Sequence, residues 1–386
     1  MMPTPASDKP LAGLWQPDDT LRNLHYGAGC VGNHLISCLP SPKSGVFIAT
    51  SNSIVRNTPL LEDLKALLGH RIVGTFAGVK QHVPLEGILE AAEKIRHISN
   101  PFDVVLAVGG GSTIDFAKML ASHLTKDFDM GRIAIIAIPT TLSACEASPV
   151  GSYSKNGTKL TMSNSYTVVD SILYDPEYSQ YTPKRLWLSS GICALSHAVE
   201  TMYHPFSTEF PRKALASWAM KVLFDGLQEV HESYPGSRDA MTRLFLATYA
   251  SNSLKGNNVG GQEGICHLFA YALGSPFNIP HAETCCITLG KVIIYKAKRS
   301  AGAAKQIARL LPATGDRLAG NDVVDACQVG HRIIALVNKL GLGENLSQRG
   351  VSRDHISVIG KCVGRASGLH PDECQPLIDL VESFFQ

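Results

Sequence analysis

The chain is short of charge. Only 18% of its 386 residues are Asp, Glu, Lys or Arg, the formal balance is +2, and no long basic run occurs. This argues against nucleic acid or an anionic membrane as the main partner. Long apolar stretches are missing too: the densest, Ile133 to Ile138, is far too short to cross a bilayer. The opening MMPTPASDKPLAG has no apolar h-region of the kind a secretion signal carries, so a cytoplasmic setting is the expectation. No CxxC pair is present, and ten cysteines without such a signal read as free thiols rather than a disulfide framework. Cys285 and Cys286 are adjacent and follow a histidine by a few residues. What is there, 45% hydrophobic residues, is the composition of a folded chain with length for roughly two domains.

The stretch that organises the rest is DVVLAVGGGSTIDFAK, Asp103 to Lys118. Val104 to Val108 is a β-branched apolar run, which predicts a buried strand. Gly109, Gly110 and Gly111 then remove every β-carbon from the turn, so the backbone can take positive φ and approach a ligand closely. Ser112 and Asp115 fit an S-x-x-D capping pair and predict a helix from Thr113, its unpaired N–H groups aimed back across the glycines. Read alone, this is either an anion cradle, with pyrophosphate the favoured anion, or a tight turn with no ligand.

Around it, predicted strands at Val46–Thr50, Ile72–Phe76 and Ile133–Ile138 alternate with helices at Pro59–Gly69 and Leu85–His97. That alternation implies a parallel sheet covered on both faces, with ligands at the strands' carboxyl ends. Asn156-Gly157 predicts a tight hairpin. Thr140, Thr141 and Ser143 are either donors to a phosphate or ribose, or turn formers. From Pro183 onward the patterns are helical: Pro183–Tyr203, Phe210–Val230, Ser237–Lys255, Glu263–Leu273, Thr284–Ala297, Gly302–Leu311, Val323–Lys339 and Pro371–Phe385. The expected fold is therefore an α/β dinucleotide-binding domain, residues 1–180, followed by an all-helical domain, residues 181–386.

Three histidines stand out in the helical half. His197 lies one turn after Cys193, an i,i+4 spacing that suits two ligands of one metal; His267 opens a helix in GICHLFAYALG, and His281 follows in NIPHAET. Gathered together, Cys193, His197, His267 and His281 would make a transition-metal or zinc site; taken singly, each is a surface or satisfied core histidine.

GGGSTID at 109 to 115, PTT at 139 to 141 followed by Glu146, HAVE at 197 to 200, His267, and PHA at 280 to 282 resemble the iron-containing alcohol dehydrogenase superfamily, over most of the chain. QHVP at 81 to 84, SACEASP at 143 to 149, YDP at 174 to 176 and PHAET at 280 to 284 look most like its maleylacetate reductase branch. The resemblance implies a Rossmann-like domain, a helical domain, an active site in the cleft between them, and a homodimer. It implies that NADH or NADPH binds through Gly109–Gly111, Ser112, Asp115, Thr140, Thr141 and Lys159, and that an aspartate and three histidines hold Fe²⁺ or Zn²⁺ in metal-dependent members.

Departures from the family pattern matter as much. Its aspartate ligand is Cys193 here, which favours zinc over iron or leaves a metal-free site. A second active-site histidine is Tyr271, whose phenol suits proton donation. Where many members carry an aspartate for the ribose, this chain has Ser51-Asn52-Ser53, so nothing repels a 2′-phosphate; Arg56 is the nearest cation in sequence. The leading expectation is an NAD(P)H-dependent reductase of the maleylacetate reductase type acting on a small unsaturated oxo-acid. Tyr271, His281, His197 and His267 then face the substrate, and Arg185 or Lys255 meets its carboxylates. The alternatives are a zinc-dependent alcohol or aldehyde dehydrogenase, and a non-redox enzyme or binding protein that kept the fold.

Overall fold

The computed structural model describes residues 21–98, 100–128, 130–255 and 264–386, which fall into two compact units. One holds the described residues up to Pro183 together with Ser237–Leu246, and the other holds Lys184–Gly236 with Ala247–Gln386.

The first unit has eight strands: β1 (Asn23–Tyr26), β2 (Val46–Ala49), β3 (Ile72–Phe76), β4 (Val104–Gly109), β5 (Ala134–Pro139), β6 (Val150–Lys155), β7 (Thr158–Ser163) and β8 (Ser171–Tyr174). Six of them form one parallel sheet in the order β1-β8-β5-β4-β2-β3. β6 and β7 pair antiparallel across Asn156 (φ 51°) and Gly157 (φ 74°), the left-handed pair that the Asn-Gly sequence predicts. Helices α1 (Cys30–Cys38), α2 (Asn52–Asn57), α3 (Leu60–Leu68), α4 (Leu85–Arg96) and α5 (Gly111–Asp127) lie between strands in the chain, and α6 (Pro176–Ser179) follows β8. β4 and β5 are buried along their whole length, because parallel strands covered on both faces need apolar residues at every position.

The second unit is built from helices. The chain continues with α7 (Lys184–Tyr203), α8 (Ala214–Ser233), α9 (Arg238–Asn252), α10 (Ile265–Phe277), α11 (His281–Arg299), α12 (Ala301–Ala308), α13 (Asp322–Lys339), α14 (Ile356–Ala366) and α15 (Gln375–Ser383). The helix expected from Glu263 begins outside the described residues, and α10 is its described part. Sequence periodicity misses α1, β8 and α14. Four residues of β8 are too few to show a period. α1 begins after a left-handed Gly29, and its first N–H groups are capped from afar: Asp175 accepts from Gly29 N at 3.1 Å and Val31 N at 3.0 Å. The same carboxylate accepts from Glu177 N and starts α6, so YDP is a structural tie.

The loop after β5 is fixed by one side chain. Lys118, fully buried on α5, donates from Nζ to the carbonyls of Cys145 (2.5 Å), Ser148 (2.7 Å) and Val150 (2.8 Å). Burial pulls the Lys118 pKa down, and the charge of Asp115, one turn earlier, opposes that pull. We expect Lys118→Met to leave those carbonyls without their shared donor; at about 1–3 kcal/mol per buried unsatisfied group, it should lose about 3 kcal/mol or more of stability. An unchanged urea midpoint would show that the clamp contributes nothing.

Candidate functional site

The first unit carries the residues expected to meet a dinucleotide. β2 leads to β3 on one side, and the chain then crosses back so that β4 lies on the other side of β2. The carboxyl ends of β2 and β4 are therefore the switch point at which open α/β sheets bind ligands. Ser51 follows β2, Gly109 ends β4, and Thr140 and Thr141 follow β5, so these sequence-predicted residues gather along one edge of the sheet.

The glycines serve the protein as well as any ligand. Gly109 has φ +151°, and a β-carbon there would lie 2.5 Å from Thr113 Oγ1. On Gly110 it would meet Thr141 Cγ2 at 3.0 Å, and on Gly111 Cys145 Sγ at 2.8 Å. The turn is thus pressed against the loop that Lys118 clamps. The capping expectation is corrected: α5 starts at Gly111, two residues earlier than expected, with Gly110 at the cap and no side-chain cap. Asp115 points inward instead, where its carboxylate accepts the Ser152 hydroxyl and burial pushes its pKa up. Lys159, half-buried on β7, is close enough for its charge to offset that rise. A long helix whose first turn has no side-chain cap, behind bare glycines at a switch point, fits a pyrophosphate.

The second unit carries the histidine half, on three helices. α7 presents Cys193, His197 and Glu200; α10 presents His267 and, one turn on, Tyr271; α11 opens with His281 and carries Cys285 one turn later. The rings of His197 and His267 are 4.5 Å apart between centroids, those of His267 and His281 5.6 Å, and those of Tyr271 and His281 5.8 Å. The four residues singled out from sequence as ligands, and Tyr271, are therefore brought together.

Two residues complete the cluster that sequence reasoning passed over. Glu200 accepts from His267 Nδ1, from Cys266 N at 2.8 Å and from the Tyr203 hydroxyl at 3.1 Å. The carboxylate at Nδ1 fixes the direction of the His267 ring. A β-carbon on Gly264 would lie 2.1 Å from the Glu200 carboxyl group, which is why the chain enters α10 through a glycine. HAVE held this signal, because His197 and Glu200 are one turn apart on one helix. Cys285 is the other residue, and its signal was the i,i+4 spacing from His281.

Donor atoms of Cys193, His197 and His267 lie within 4.8 Å of one another, as do those of Cys193, His281 and Cys285. Both sets are thiol and imidazole without a carboxylate, which suits zinc better than iron. Burial, with His267 and Lys255 nearby, holds the His197 pKa well below its usual value, so this imidazole is neutral and able to ligate. Arg185 is not a free cation for the substrate: it pairs with Glu283 and Glu344, each at 2.9 Å. If the ion sits on the set that contains His267, Glu200→Gln should lower its affinity by about 10–100-fold, as losing an outer-shell carboxylate does. Titration with a chromophoric zinc chelator would read this, and unchanged affinity would mean that Glu200 does not orient a ligand.

The family model of iron-containing alcohol dehydrogenases matches residues 22–176, and the model of the C-terminal part of Fe-containing alcohol dehydrogenases matches residues 187–375. A maleylacetate reductase of Cupriavidus pinatubonensis is 32% identical over 254 residues, 66% of this chain and 67% of that protein. A dehydrogenase of Alternaria alternata is 27% identical over 360 residues, 80% of this chain and 90% of its own. The crystal structure of maleylacetate reductase from Agrobacterium tumefaciens superposes with a TM-score of 0.79 at 23% identity, over 97% of this chain and 98% of that one. The alcohol dehydrogenase from Oenococcus oeni gives 0.83 at 17% identity, over 97% and 100%. These structural likenesses speak for the fold, and the matched sequence models speak for the lineage. The chain belongs to the iron-containing alcohol dehydrogenase superfamily, on its maleylacetate reductase branch, and is an oxidoreductase.

Proposed function

We propose that the protein is an NAD(P)H-dependent reductase of the maleylacetate reductase type, reducing an activated C=C or C=O bond of a small unsaturated oxo-acid. The observation that carries this reading is the surroundings of the clustered histidines: the Tyr271 ring sits 5.8 Å from that of His281, and the charge of Lys255 reaches His197. A dianionic oxo-acid needs a proton donor and a cation around its reacting carbons, and here they come from Tyr271 and Lys255. Sequence similarity to the maleylacetate reductase of Cupriavidus pinatubonensis supports the same substrate class. We place it in the cytoplasm as a homodimer.

Bound NAD(P)H would supply the hydride; a divalent metal, where the thiol–imidazole cluster holds one, would add polarisation of the substrate oxygen, which this reading does not require. The first-turn N–H groups of α5 and the glycine turn hold the pyrophosphate, while Thr140 and Thr141 line the nicotinamide side. Tyr271 donates the proton that balances the hydride. His267 is held in place by Glu200, and His197, kept neutral by burial, adds a polar lone pair near the substrate without adding charge.

A second reading, a zinc-dependent alcohol or aldehyde dehydrogenase, is favoured by the two thiol-containing donor sets. Full activity after chelation excludes it.

Initial rates with NADH and NADPH against maleylacetate and related oxo-acids test the proposal. Tyr271→Phe should lower kcat by about 10²–10⁴-fold with cofactor binding, followed by fluorescence, unchanged. If no unsaturated oxo-acid drives consumption of either cofactor, the reading fails.

A further inference from the structure

We infer that Cys193, His281 and Cys285 form a Cys₂His zinc site with an exchangeable fourth position, built from a donor pair that replaces the family's carboxylate. The three donor atoms lie within 4.8 Å of one another. A tetrahedral zinc ion with Zn–S of about 2.3 Å and Zn–N of about 2.0 Å needs donors roughly 3.3–3.8 Å apart, so the side chains must close by about 1 Å. Movements of that size are adjustments of χ angles and leave the helices in place.

The arrangement follows from the fold. His281 and Cys285 are four residues apart on α11 and share a face, while Cys193 comes from α7. Both helices are in one unit, and Cys193 and Cys285 are buried. Cys285 also touches Ser196 of α7, Oγ to Sγ 3.8 Å, which holds the two helices in register at this level. Two thiols and an imidazole are soft donors that select zinc, and three protein ligands with an open position are the arrangement of catalytic rather than structural zinc. Binding is balanced by release of the two thiol protons, leaving both sulfurs as thiolates on the metal. The neighbouring set, Cys193 with His197 and His267, competes for the same ion and contains one sulfur. Cys286 does not take part: its thiol donates to the Ala282 carbonyl at 3.4 Å.

The catalytic use of this zinc rests on the proposed reductase reading, but its binding does not, and the test needs no substrate. The reduced full chain is loaded with zinc, freed of excess metal, and measured by zinc-edge X-ray absorption together with metal content. Two sulfur scatterers per stoichiometric zinc support the site; one sulfur, no sulfur, or no retained zinc overturns it. Cys285→Ser should weaken zinc binding by at least about 100-fold, beyond the loss typical of an outer-shell partner, while Cys286→Ser leaves it unchanged. Equal affinities in the two variants overturn the assignment. Zinc with two sulfurs in a protein that reduces no oxo-acid overturns the reductase reading and upholds the site. Oxo-acid reduction by a protein that retains no zinc does the reverse.

Discussion

The ammonium group of Lys118 is buried beneath the loop that follows β5, and three backbone carbonyls of that loop converge on it. A buried charge without partners would be prohibitive, so the loop must adopt the path that supplies them. That path presses Cys145 and Ser143 against Gly111 and leaves no room for a β-carbon there. Lys118 belongs to the same helix whose first turn is the proposed anion site, so one residue ties that helix to the loop beside it. The glycines are bare partly because the protein itself occupies the space.

Glu200 has the corresponding part in the helical unit. Its two carboxylate oxygens take His267 Nδ1–H, the Cys266 amide and the Tyr203 hydroxyl, which sets the tautomer and direction of one imidazole before anything binds. Tyr203 accordingly has its pKa raised well above normal by burial and by the Glu200 charge, and remains a donor. In both units a buried charged side chain gathers neutral backbone and side-chain groups around itself. The chemistry proposed for each half uses atoms that this arrangement leaves available.

The cation question shows how local sequence misleads. Arg185 stands near the start of α7 and reads as a candidate for substrate carboxylates, yet Glu283 and Glu344 claim both sides of its guanidinium. Glu283 lies 98 residues away in sequence, and nothing in the local pattern announces that pairing. Lys255 is placed by the fold near the histidines, and its charge is felt at His197.

The sequence by itself determined the elements whose signal is local. Strands β2 to β5, most helices and the Asn156-Gly157 turn follow from periodicity, propensity and the φ values that only certain residues accept. The glycine turn and the spacing of Cys193 and His197 were legible for the same reason: one helix turn, or one strand end, contains all the information. Tertiary structure alone decided what each residue meets. Asp115 looked like a cap and became an inward partner of Ser152; Asp175 caps α1 from 144 residues away. Cys285 was noted only as half of an adjacent pair after a histidine until α7 and α11 packed together and brought it to Cys193. Hydrophobic period and turn chemistry are properties of neighbouring residues, whereas a ligand set, a clamp or an ion pair is a property of distances between helices. Packing sets those distances.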